Sequence, residues 1–261
     1  MFTFLMQSVL PFILSALIVI IITIIAEKYG TKIGGIIGTL PSTIIIAFIF
    51  IAINKGVNFA SQAVSIVPFE MGINIFFLLI FVTLAYTSIK IALIGSFIIW
   101  TILSTILYLI DISNIFISFI VYITSVVIIL YYLEFVKKIE STGKIKVHYT
   151  PLKIILRGTL AGIIIAISVL LSNTSAALSG IFSIFPAILT STMIICVREH
   201  GPNFAAGMAK SMIFGSASVM SYAISIHFLY PIYGIVLGST ISFCISFFIT
   251  IIILKFRGKI K

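Results

Sequence analysis

The sequence predicts an all-α polytopic membrane protein, and three observations carry that expectation. Its apolar content is more than a soluble domain of this size can hide, its apolar runs are long, and its basic residues gather at alternate gaps between those runs. Of 261 residues, 61% are hydrophobic and only 8% are charged, with a mean hydropathy of +1.35. A soluble domain carries roughly a quarter charged residues. A helical crossing needs about 20 apolar residues at about 1.5 Å each, so the length allows roughly eight to ten crossings.

Nine apolar segments separate at charges, Gly, Pro and Asn: 8–26, 33–53, 59–88, 91–110, 115–133, 154–172, 180–197, 204–230 and 232–254. The first has no basic stretch before it and no small-residue cleavage pattern after it, so it reads as a span and not as a signal peptide. The third and eighth are too long for an upright crossing. Each is expected to tilt, or to break near Pro68 or Gly215.

Charge gives an independent check. With nine spans and the N-terminus outside, one side of the membrane receives Lys28, Lys32, Lys90, the cluster Lys137, Lys138, Lys144, Lys146 and Lys153, then Arg198, His200, and finally Lys255, Arg257, Lys259 and Lys261. The other side receives little beyond Lys55 and Asp111. The positive-inside rule then places the C-terminus in the cytoplasm of a multi-pass cell-membrane protein. It also explains the net charge of +10 without a nucleic-acid partner. Cys196 and Cys244 lie in apolar runs and read as free core thiols. No CxxC, HExxH or Walker-type run occurs, and the six acidic residues are scattered. No catalytic residue, metal site or cofactor is therefore expected, which argues against an enzyme.

The two halves repeat at an offset of 145 residues. Gly35, Ile36, Pro41, Gly56, Asn58, Phe59 and Ala60 recur as Gly180, Ile181, Pro186, Gly201, Asn203, Phe204 and Ala205, and Phe69 matches Phe214. Gly, Pro and Asn falling in one register say more than shared Ile or Phe in this composition. The expected organisation is a four-helix repeat over 1–110, a linker helix with a basic loop over 111–153, and a second repeat over 154–261. One extra crossing between equal units inverts the second, the arrangement of many alternating-access carriers.

The segments GGIIGTLPST and GIFSIFPAILTST place hydroxylated residues beside Pro41 and Pro186. A membrane proline frees a carbonyl one turn earlier, which then needs a partner, a water or an ion. Ser42, Thr43, Thr190, Ser191 and Thr192 stand near those carbonyls as candidates for the substrate path, against the plainer reading of close helix packing. Glu70 and Lys210 join them as charges deep in apolar segments; the alternatives are an outer-interface position for Glu70 and snorkelling for Lys210. Asn58 and Asn203 read as helix caps or gates. Arg157 is expected at lipid phosphate, Asp111 in solvent, and the linker helix 115–133 at the periphery.

The stretches Tyr29 to Thr43 and Gly180 to Gly215 resemble the small four-span inner-membrane proteins called the GlpM-like family: a Gly-rich helix reaches a membrane proline followed by Ser or Thr, and a polar turn leads to a Phe-Gly step. The first half has Phe69-Glu70 in place of that step. The resemblance covers each unit but not the linker, and implies duplication of a small ancestor, with no activity carried to any residue. The function expected is secondary transport of a small polar or ionic solute, with membrane lipid as surroundings and room for a coupling ion and a homodimer. A channel or lipid-handling protein, or a non-catalytic scaffold, is the alternative.

Overall fold

A computed structural model describes residues 4–37, 40–139 and 150–259, without side-chain placement for 26–37 and 256–259. The described residues are all-helical. A π-helical turn, Leu5–Val9, leads into α1 (Leu10–Ile37); α2 (Ser42–Lys55), α3 (Val57–Val64), α4 (Val67–Leu84) and α5 (Ile89–Ile110) follow. Next come α6 (Ile115–Tyr131), which ends in a π-helical turn, Tyr132–Val136, then α7 (Pro151–Leu171), α8 (Ala176–Ser183), α9 (Ala187–His200) and α10 (Pro202–Lys259).

This is a multi-span membrane protein, and the helix faces show why. On α5 the inward positions are Ala92, Ser96, Trp100, Ser104 and Leu107, while Ile91, Ile94, Ile98, Ile102 and Ile106 point out. On α6 Ser118 and Ser125, and on α7 Gly158, Ala161, Gly162 and Ser168, again face in, while Ile117, Ile120 and Ile128 of α6 and Ile155, Ile163 and Ile167 of α7 face out. That polarity is the reverse of a soluble helix and suits hydrocarbon outside with close packing inside. Among the described residues seven helices are long and apolar enough to cross a membrane, and the 14-residue Ser42–Lys55 is a shorter apolar helix.

One of those seven is far too long for a single crossing. Within α10 the Ser246 hydroxyl donates to the Ser218 carbonyl at 2.7 Å, although the two stand 28 residues apart. In a straight helix they would be about 42 Å apart. The chain instead reverses at Gly234, whose φ of 72° and ψ of −171° interrupt the helix. The Tyr230 hydroxyl meets Ser239 Oγ at 2.7 Å across the bend. An added Cβ at Gly234 would meet nothing within 4 Å, so the constraint there is conformational, not spatial. Gly234→Val is expected to cost about 1–3 kcal/mol, read as a lower melting temperature in detergent. Leu237→Ala, on the exposed face nearby, should leave it unchanged.

Helices α1 and α7 cross antiparallel. The space for a side chain at Gly158 is filled by the Ala16 carbonyl and Ile20, and at Gly162 by the Phe12 carbonyl, 2.6 Å from an ideal Cβ. Further along the same crossing Gln7 bonds Asn173. Corresponding elements also match in detail. Helices α2 and α9 begin and end 145 positions apart, and each follows a proline of similar backbone geometry: φ −72°, ψ 44° at Pro41 and φ −75°, ψ 35° at Pro186. Each ends at a glycine of positive φ, 90° at Gly56 and 83° at Gly201.

Several boundaries differ from the sequence expectation. The expected gap between 26 and 33 is helical: α1 continues to Ile37, since one interior glycine costs a helix only about 1 kcal/mol. Residues 38–39 lie outside the described part. The third segment breaks at Ser65-Ile66, just before Pro68, whereas the eighth runs through Gly215 unbroken. Cys196 is buried as expected, but Cys244 is exposed.

Candidate functional site

Pro186 does more than kink a helix. It separates α8 from α9, and the freed backbone groups are re-satisfied locally: Ile184 N–H donates to the Ile181 carbonyl, Phe185 N–H to that of Phe182, and Ala187 N–H to that of Phe185. The Ile184 carbonyl takes its bond from another part of the chain, the Asn74 amide of α4 at 2.8 Å. The first half repeats the turn, with Ser42 N–H donating to the Leu40 carbonyl at 2.6 Å.

Where the two interrupted helices approach each other they leave a cavity of about 70 Å³, lined by Pro41, Thr43, Phe185 and Ile188 with Asn74 of α4 and Ser216 of α10 among others. A water needs about 10–15 Å³ on the same measure, so several fit. The walls are chiefly aliphatic, and among the described residues no charged side chain lines them. Asn74 is buried, and its Oδ1 has no hydrogen-bond partner. A buried amide oxygen left unpaired costs about 1–3 kcal/mol, which makes it an acceptor in want of a donor.

Of the residues chosen from sequence, Pro41 and Thr43 line this cavity. Ser42 is buried beside Pro41. The hydroxyls of Thr190, Ser191 and Thr192 are committed elsewhere: Thr190 donates to the Pro186 carbonyl at 2.6 Å, and Ser191 and Thr192 to that of Ile188. In the first turn of a helix such back-bonding is the nearest acceptor available. Arg157 is buried, with Nη1 donating to Thr192 Oγ1 at 2.8 Å. Lys210 is not at the cavity. Its ammonium reaches Glu134 Oε2 at 2.9 Å and the Ile139 carbonyl at 3.3 Å, tying α10 to the turn after α6.

Asn58 and Asn203 are not caps. Both helices start at the preceding glycines, so each Asn already sits inside the first turn, exposed, and α3 has no side-chain cap bond. Asn203 instead accepts from the Tyr86 hydroxyl at 2.6 Å. Asp111 is exposed as expected. The linker helix is not peripheral: Tyr122 is buried and its hydroxyl pairs with Ser216 Oγ at 2.8 Å, while Ser125 Oγ lies 3.0 Å from where Gly72 would carry a Cβ. Glu70 is fully buried between α4 and α5, one helical turn before Asn74.

Asn74 is the residue the sequence reading missed. Its signal was a lone amide in the apolar run VPFEMGINIFFLLIFVTL, and a polar group inside a membrane helix needs a reason. His227 also escaped notice. Its Nδ1 lies 2.8 Å from the Ser61 carbonyl, which can only accept, so Nδ1 carries a proton. The Ser61 hydroxyl in turn donates to the His227 carbonyl at 2.6 Å, clasping α3 to α10.

A family model described as "Protein of unknown function (DUF3147)" matches residues 8–113. No curated protein and no solved structure matches.

Proposed function

We propose that the protein is a secondary carrier that moves a small polar or ionic solute by alternating access. In this reading two four-helix repeats, within 1–110 and 154–261, derive from duplication of a small four-span ancestor of the GlpM-like kind. The segment 111–153 supplies the crossing that inverts the second repeat. The chain then crosses nine times, with the N-terminus outside and the C-terminus cytoplasmic. Support comes from the matched geometry at Pro41 and Pro186, the antiparallel α1 and α7, and the reversal at Gly234. The family match over 8–113 has the extent of one such unit.

The observation that carries the reading is the cavity between two interrupted helices, large enough for solvent and lined by Asn74, a buried amide whose oxygen has no hydrogen-bond partner. Broken helices that meet at a polar point are how membrane carriers present backbone and side-chain acceptors to a cargo. The aliphatic walls favour a second version of the same reading, in which the cargo is amphipathic and the protein handles a lipid or a lipid-like molecule.

The test needs no known cargo. Ser216→Cys, with Cys196 and Cys244 replaced by alanine, is treated with a membrane-impermeant thiol reagent in right-side-out and in inverted vesicles. A carrier is expected to label from both sides, each reduced when the opposite face is held open by crosslinking. Absence of labelling from either side would show a sealed centre and favour a scaffold. Labelling from both sides that crosslinking leaves unaffected would indicate a channel.

A further inference from the structure

Glu70 lies outside the cavity and is buried without an ion pair among the described residues. The break at Ser65-Ile66 puts it in the first turn of α4. Ser104 Oγ donates to its Oε1 at 2.8 Å. On the other side the Trp100 indole N–H approaches the carboxyl without closing a good bond, and Glu70 Oε2 and Trp100 Nε1 both remain buried and unpartnered. Around them stand Ile66, Ile73, Phe77, Leu107 and Ile181, with the rings of Phe182 and Phe185 edge-on to Trp100.

We propose that Glu70 is a proton-binding site inside the membrane. The donor set decides the ligand. A metal cation wants several oxygens, and this pocket offers one carboxyl and one hydroxyl, with an N–H pointing where another ligand would have to be. A proton suits it in both states. With the carboxyl ionised, Ser104 O–H and Trp100 N–H each have an oxygen to donate to. With the proton on Oε1, the acid O–H donates to Ser104 Oγ, since a hydroxyl donates or accepts equally well, and Oε2 is the carbonyl oxygen facing Trp100.

Lys210 of α10 pairs with Glu134, His227 of α10 meets Ser61 and Ser65 ahead of the break before α4, and Arg198, Glu199 and His200 stand in the last turn of α9. Helix α5 presents Trp100 and Ser104, α6 presents Tyr122 and Ser125 to Gly72, α8 presents Ile181 and Phe182, α9 Ile188 and α10 Ser216. On uptake one O–H bond forms at the carboxyl and on release it breaks, the proton passing to or from water. Asn74, which lines the cavity, lies four residues on, one helical turn from the site on the same face of α4. That the proton drives solute movement rests on the carrier reading; that the site binds a proton does not.

Trp100 is the single tryptophan of the chain, which makes its emission a local reporter. The full-length protein in detergent is titrated with pH while only the indole is excited. One transition in emission is expected, absent in Glu70→Gln and displaced by about one pH unit in Ser104→Ala. If Glu70→Gln does not fold, as judged by size-exclusion profile, the Ser104→Ala displacement carries the test. Emission that does not change with pH in the native protein, or a transition kept unaltered in Glu70→Gln, or no displacement in Ser104→Ala, overturns the assignment. None of these outcomes bears on cavity labelling at Ser216→Cys, so the two readings fail separately.

Discussion

Gly180→Ala is expected to be the most damaging single methyl in the protein. A Cβ at Gly180 would lie 2.2 Å from the Ala63 carbonyl oxygen and 2.5 Å from Ile66 Cγ2. The first of these atoms is backbone and cannot rotate away, so α8 would have to withdraw from α3 at one of the contacts between the two halves of the chain. Overpacking of this kind costs about 3 kcal/mol. In a chain of this size that is a fall in melting temperature on the order of 6–12 °C. Gly95→Ala provides the contrast. Its Cβ would meet only the Leu84 Cδ1, at 2.6 Å, the free end of a flexible side chain, and a change of under about 1 kcal/mol is expected. Equal melting temperatures for the two variants would mean that the α3–α8 contact does not hold the halves together.

Asn74→Leu is expected to affect both stability and the behaviour of the cavity. Leucine is close to asparagine in size, so packing is kept while two polar roles disappear. The Ile184 carbonyl at the break between α8 and α9 loses the amide that donates to it, at about 1–3 kcal/mol for a buried acceptor left bare. The lining of the cavity loses its amide. A fall in melting temperature of about 2–12 °C is expected, together with loss of two-sided labelling at Ser216→Cys. Labelling indistinguishable from that of the parent would remove Asn74 from the proposed mechanism, whatever the melt showed.

How much of this was legible in the sequence depends on what each residue's partner is. Pro41 and Pro186 announced themselves, because a proline's missing donor is a property of the residue alone. The spacing that brought them into one register survives as matching element ends. A sequence does not say whether a hydroxyl turns back to its own helix, as those of Thr190, Ser191 and Thr192 do, or outward. Lys210 stood out as a charge deep in an apolar segment, but its carboxylate partner, Glu134, lies in the turn after another helix and only the folded chain brings the two together. Asn58 and Asn203 show a finer limit. A glycine of positive φ two residues upstream moved the helix start, and a cap is defined by that start. Asn74 was passed over because its partner, a carbonyl 110 residues away, exists only in the folded chain.

The reversed polarity of α5, α6 and α7 has a consequence for how this protein can change over time. Outward isoleucines such as Ile94, Ile98 and Ile102 touch only a fluid that accepts any aliphatic shape, so exchanges among Ile, Leu, Val and Phe there go unread. Inward positions such as Gly158, Gly162 and Ser96 are read at the scale of one methyl by a neighbour's backbone or by a tight interface. These helices thus store their specification in their smallest side chains, while their outward aliphatic residues drift freely. Two descendants of one ancestor would lose resemblance over most of their length and still share a sparse lattice of Gly, Ser and Pro.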